Sequence, residues 1–105
     1  MNPYNIPDSV MSEVKLRDTH CVYCRVELIA AATRGQPLKQ VASWEHIVND
    51  IALSGSDNIA LCCHSCNSSK GAKKLEEWLQ STYCTSKGIT RETVEPVVQK
   101  HLENI

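Results

Sequence analysis

Two cysteine pairs constrain this chain more than any other feature. Cys21-Val-Tyr-Cys24 and Cys63-His-Ser-Cys66 repeat one spacing. A two-residue gap lets both thiolates of a pair turn toward one ion from a tight knuckle. Two such pairs close a tetrahedral shell at ~2.3 Å with no open position, which defines a structural zinc site. The chain has use for such a staple. It has 105 residues, 42% of them apolar, with no Phe and only 5% aromatics. A core built from Leu, Val, Ile and Ala in a domain this small is thin, and a metal offsets the deficit.

The six cysteines leave two outside that scheme. Cys62 competes with Cys63 for the register, but only Cys63 keeps the two-residue gap to Cys66. Cys62 then reads as a small buried hydrophobe, and Cys84 as packed or free. His20 and His64 flank the knuckles and are read as exposed neighbours rather than substitute ligands. Residues 1–10 lack the apolar segment of a secretory signal, and no run reaches the length of a membrane span. A cytoplasmic location is expected, where thiols serve metals more often than disulfides. A thiol-redox role is the weakest reading, because two CxxC pairs make a cage rather than one reactive dithiol.

The rest of the chain reads as a single α+β domain over 1–105, with a core at about 21–71. Asn2 to Pro7 is an irregular lead-in. A helix is expected over about 8–17, capped by Asp8 or Ser9, with Val10 and Val14 on one face. Leu28 to Thr33 is apolar and of open type, and Gly35-Gln36-Pro37 signals a turn. Leu38 to Val48 reads as a strand, Asn49 to Asn58 as a loop, and Ile59 to Cys62 as a short apolar segment. A helix from about His64 to Lys70 is stopped by Gly71. C-terminal helices are expected within about 74–105. The first is marked by Leu75, Trp78 and Leu79. The last is capped by Thr93, with Pro96 in its first turn and Val94, Val97, Val98, His101, Leu102 and Ile105 on one face.

Between Cys24 and Cys63 lie residues 25–62, well beyond the ~15–20 residues usual for a zinc ribbon. From Glu45 to Gly71, across the end of that insertion and the second knuckle, the chain reads EHIVNDIALSGSDNIALCCHSCNSSKG. The segment resembles the HNH endonuclease family, whose pattern is an acidic residue and His on a strand, a loop, an Asn-x-x-x-Leu-Cys segment, and Cys-x-x-Cys with a trailing Lys-Gly. The resemblance covers about Cys21 to Gly71. It implies a ββα-metal fold with a structural zinc knuckle pair and flanking helices. It also implies roles: His46 as general base, Glu45 and Asn67 as ligands of a catalytic divalent cation such as Mg²⁺ or Mn²⁺, and Asn58 as the residue that orients His46 and ties down the loop. The structural zinc would sit on Cys21, Cys24, Cys63 and Cys66.

The chemistry suits those residue types. Phosphodiester hydrolysis needs a deprotonated water, which a neutral imidazole can supply near pH 7. It also needs positive charge near the leaving oxygen, which a hard cation on oxygen ligands supplies. One geometric difficulty stands: adjacent strand residues point to opposite faces, so Glu45 and His46 share a face only across a twist or bulge. Two departures from the family pattern concern the cation. Glu45 is a methylene longer than the common Asp, and Asn67 brings no charge. Asp50 is a spare carboxylate, read as loop-capping or solvated.

Double-stranded DNA is the expected partner, with no membrane, and with monomer and homodimer both open. Lys70, Lys73 and Lys74 follow Asn67 and either contact phosphates or form an ordinary solvated face. Trp78 is read as core. A net charge of -1 excludes a strongly basic nucleic-acid coat. It favours the alternative, a non-catalytic zinc module that binds DNA or protein.

Overall fold

The computed structural model describes residues 6–29, 38–50 and 52–103. The apolar stretch beyond Ile29, the Gly35-Gln36-Pro37 turn, most of the lead-in and Ile105 lie outside them. The described residues form an α+β structure with a two-stranded antiparallel sheet and several helices. None of these helices is long and apolar enough to cross a membrane.

Helix α1 spans Asp8–Arg17, as its sequence suggests, but neither Asp8 nor Ser9 caps it. Pro7 holds the N-cap position, and its carbonyl accepts from the amides of Val10 and Met11, both at 3.0 Å. Asp8 in the first turn and Lys15 and Arg17 in the last complement the helix dipole. Arg17 then fastens the helix to a distant segment of the chain. It pairs with Asp18 at 2.7 Å and donates to the carbonyls of Ser56 and Ile59. Asp18 in turn accepts from the Leu61 amide at 3.0 Å.

Strand β1 is shorter than the sequence suggests. Leu38–Gln40 forms a single 3₁₀ turn, and β1 covers Ala42–His46. It pairs with β2, Ile59–Cys63, in an unbroken register from Ala42 opposite Cys63 to His46 opposite Ile59. Beyond His46 the Ile47 amide still reaches the Asn58 carbonyl, and the Asn58 side chain takes over at Val48. Every residue of β2 is buried, since both faces of the sheet are covered. Ile59 and Leu61 pack with Val14 of α1 and with Ala42 and Trp44. Ala60 and Cys62 face the larger core, which includes Val22, Tyr23, Ile47, Trp78, Val98 and Leu102.

Helix α2, His64–Lys70, starts directly from β2 and ends at Gly71, whose φ of 51° favours glycine. Helix α3 spans Leu75–Trp78. A further helix, α4 at Thr82–Lys87, does not stand out from the apolar pattern, although Ser81 and Gly88 cap its two ends. Helix α5, Pro96–Leu102, begins after Glu95, not at Thr93. The Thr93 hydroxyl instead accepts from the Thr90 amide at 2.8 Å and closes a turn. Val94, Val98 and Leu102 are buried, as the periodicity requires.

Candidate functional site

The two knuckles meet beside the sheet. The Sγ atoms of Cys21, Cys24, Cys63 and Cys66 all lie within 4.8 Å of one another, a group that can hold a metal ion. Cys24 Sγ and Cys63 Sγ are 3.7 Å apart. Tetrahedral bonds of ~2.3 Å place sulfurs about 3.8 Å apart, so the spacing fits zinc. In each pair the second cysteine's amide faces the first cysteine's sulfur: Cys24 to Cys21 at 3.5 Å and Cys66 to Cys63 at 3.4 Å. The cluster takes Cys63 and leaves Cys62 packed in the core.

Backbone bonds set the knuckles in place. Val22 donates to the Leu61 carbonyl, which hangs the first knuckle on β2. Arg25 closes that knuckle at φ 69°, a left-handed conformation rare outside glycine and turns. The second knuckle is the junction of β2 and α2, so its two cysteines sit one helical turn apart.

Four thiols this close cannot all ionise by themselves. Hydrogen bonds from Cys21, Cys63 and Cys66 hold Cys24 far below the usual thiol range, while Cys21, Cys24 and Cys63 push Cys66 far above it. A divalent cation replaces the shared protons with its own charge, and the donor set fits that role. Tyr83 adds an outer contact that the sequence does not announce. Its hydroxyl donates to Cys66 Sγ at 3.3 Å and bonds Ser65 Oγ at 2.8 Å. Burial and the Cys66 contact raise the Tyr83 phenol above its ordinary range. Tyr83 stacks on Trp78, and Trp78 meets Tyr23 edge-on with centroids 4.9 Å apart. No short-range pattern marks Tyr83, because it reaches the cluster from α4. His20 and His64 are exposed and outside the cluster.

The second group of candidate residues surrounds the end of β1. Asn58 is 2% exposed. Its Oδ1 accepts from the Val48 amide at 2.8 Å, and its Nδ2 donates to the carbonyls of Val48 at 3.1 Å and Leu53 at 3.0 Å. Its own carbonyl accepts from the Ile47 amide at 2.9 Å. It therefore staples the loop that comes after His46. Asp50 caps that loop by accepting from the Ala52 amide. His46 is buried, including its Nε2 atom. The unbroken β1–β2 register contains no bulge. Strand alternation therefore puts His46 on the Ala42 and Trp44 side and Glu45 on the α2 side.

Glu45 is buried and engaged. Tyr23 donates its hydroxyl to Glu45 Oε2 at 2.5 Å, and Lys70 Nζ lies 3.0 Å from the same oxygen. Lys70 also donates to the His46 carbonyl at 3.4 Å. Asn67 is half-buried on α2, one turn before Lys70, and its carbonyl accepts from the Gly71 amide. Among the described residues, the four cysteines are the only set of three or more His, Cys, Asp or Glu side chains gathered closely enough to hold a metal. Lys70 thus pairs with the carboxylate expected to help hold the catalytic cation.

The expected lysine patch divides. Lys70 is fully buried and so stands apart from the surface. Its helical spacing from Cys66, one turn earlier, carries that signal. Lys73 and Lys74 remain exposed, and with Ile47, Val48, Asn49 and His101 they line a cleft of about 510 Å³ beside the end of β1. His101 also reaches the Asp57 carbonyl at 2.7 Å, tying α5 to the loop. Trp78 is core, with its indole N–H on Ser69 Oγ. Comparison of the chain with family models, with curated proteins and with solved structures gives no match.

Proposed function

We propose that this chain is a phosphodiester hydrolase acting on DNA, of the HNH kind, with a zinc-stapled ββα core formed by β1, β2 and α2. The observation that carries the reading is the Asn58 staple. An ordinary turn asparagine is exposed, whereas this one is buried and commits its whole amide to the loop after His46. Such a staple makes sense if the end of β1 must be held still.

In this reading zinc on Cys21, Cys24, Cys63 and Cys66 fixes α2 against the first knuckle and takes no part in the reaction. His46, as neutral imidazole, removes a proton from the attacking water. Its Nε2 is buried, so the side chains that cover it must give way when DNA binds. Lys73 and Lys74, in the cleft beside the end of β1, hold backbone phosphates of the bound DNA. No step is assigned to a cation on Glu45.

A second reading has an observation of its own. The Glu45–Lys70 pair and the buried His46 suit a non-catalytic zinc module that binds DNA or protein.

Supercoiled plasmid separates the two. Zinc-loaded protein, with and without Mg²⁺ or Mn²⁺, should nick or cut it, and His46→Ala should lower the rate by about 10²–10⁴-fold while DNA affinity persists. Cleavage undiminished in His46→Ala, or none under any condition, removes the hydrolase reading. Lys73→Gln with Lys74→Gln should weaken DNA binding and reduce its salt slope by about one per lost phosphate contact.

A further inference from the structure

Glu45, Lys70 and Tyr23 come from three separate parts of the chain: β1, the last turn of α2, and the first knuckle. They meet on one carboxylate oxygen. The side chains of Lys70 and Glu45 are 1% and 6% exposed, so both charges are largely shielded from water. Tyr23 is fully buried, and its hydroxyl donates to that oxygen. One carboxylate, one ammonium and one neutral donor make a closed, charge-balanced set.

The same ammonium reaches the His46 carbonyl. It thus bonds to both members of the Glu45-His46 pair. A divalent cation on the bonded carboxylate oxygen would stand beside an ammonium that cannot retreat into solvent. Like charges without water between them repel strongly. We propose that Lys70 is the resident counter-ion of Glu45, so that the folded chain takes no divalent cation on this carboxylate. The inference deepens the hydrolase reading, which assigns no step to a cation on Glu45, by naming the group that holds that carboxylate instead.

Mn²⁺ binding, followed by electron paramagnetic resonance and by thermal melting of zinc-loaded protein without DNA, tests it. Wild-type protein and Glu45→Gln should bind Mn²⁺ alike, and Mn²⁺ should leave the wild-type melting temperature unmoved. Lys70→Met should melt lower and gain one Mn²⁺ site that raises its melting temperature. Adding Glu45→Gln to Lys70→Met should remove that site and restore melting above either single variant, because a neutral pair no longer strands a buried charge. If Lys70→Met does not fold, the wild-type comparison and the double variant still decide. A wild-type Mn²⁺ site lost in Glu45→Gln overturns the proposal, as does a double variant less stable than both singles. DNA cleavage does not enter these readouts, so a protein that cuts no plasmid leaves them intact.

Discussion

Asn58 grips both peptide groups of Val48: its Oδ1 accepts from the Val48 amide at 2.8 Å, and its Nδ2 donates to the Val48 carbonyl at 3.1 Å. The grip imitates strand pairing with a side chain just where β1 and β2 stop pairing. It sets the path of the loop leaving His46 without extending the sheet. Asn58→Ala leaves these partly buried groups unpaired and should cost about 2 kcal/mol in urea unfolding. Exchange of the Val48 amide should accelerate more than that of the Leu61 amide, which Asp18 holds independently. Equal acceleration at both would mean that Asn58 acts through global stability alone.

Zinc content should be one ion per chain, lost on acidification. Zinc binds the cysteines as thiolates, so protons compete with it for all four sulfurs. Protons therefore displace the metal as pH falls, and the contribution of zinc to folding goes with it. Cys66→Ser should unfold or aggregate. Metal analysis across a pH series, read beside circular dichroism, checks both. Folded protein without zinc at neutral pH would contradict the assignment.

Tyr83 should slow zinc release. Its hydroxyl donates to the Cys66 sulfur, and hydrogen bonds to a metal ligand from outside the shell hold that ligand in place. Tyr83→Phe keeps the ring on Trp78 and removes only the donor. Transfer of zinc to a coloured chelator should become severalfold faster, on the ~10-fold lower end of outer-shell effects. The sulfur-to-metal absorption of a cobalt-substituted sample should shift. An unchanged spectrum and rate would leave Tyr83 as packing alone.

Tyr23 makes the fold sensitive to alkali. Its folded-state pKa is raised, first by burial and then by Glu45. Its contribution is complete below the unfolded value of ~10 and is lost as pH climbs toward the folded value. Absorbance at the phenolate band should show Tyr23 ionising only together with unfolding. Tyr23→Phe should remove this component, yet cost about 1–2 kcal/mol at pH 7 by taking a donor from buried Glu45. Phenolate signal from Tyr23 in fully folded protein would contradict the buried network.

The local features of this chain were legible in its sequence. The repeated CxxC spacing selected four cysteines and rejected Cys62, because a knuckle is a matter of four consecutive residues. Helices α1 and α2 showed in apolar periodicity and in Gly71, and α5 showed in Pro96 and the Val94, Val98 and Leu102 face. Helix α4 was marked by its end caps, Ser81 and Gly88, but its six residues carry too little periodicity to announce a helix. Thr93 looked like a cap because threonine at a helix start often is one. Only the Thr90 turn reveals its other partner.

The order of residues alone specified the ligand set, the succession of elements and a pair of residues, Glu45 and His46, at a strand end. Packing settled whom each charge meets. Lys70 reads as one more lysine after a knuckle, but helical geometry carries it inward to Glu45. Tyr23 reads as a spacer inside CxxC, and the fold makes it a donor to β1. The difference is one of range. Spacing within a few residues fixes which atoms can share one ion, whereas the partner of a buried charge is set by how distant segments pack, and that partner decides whether the carboxylate is open to a metal.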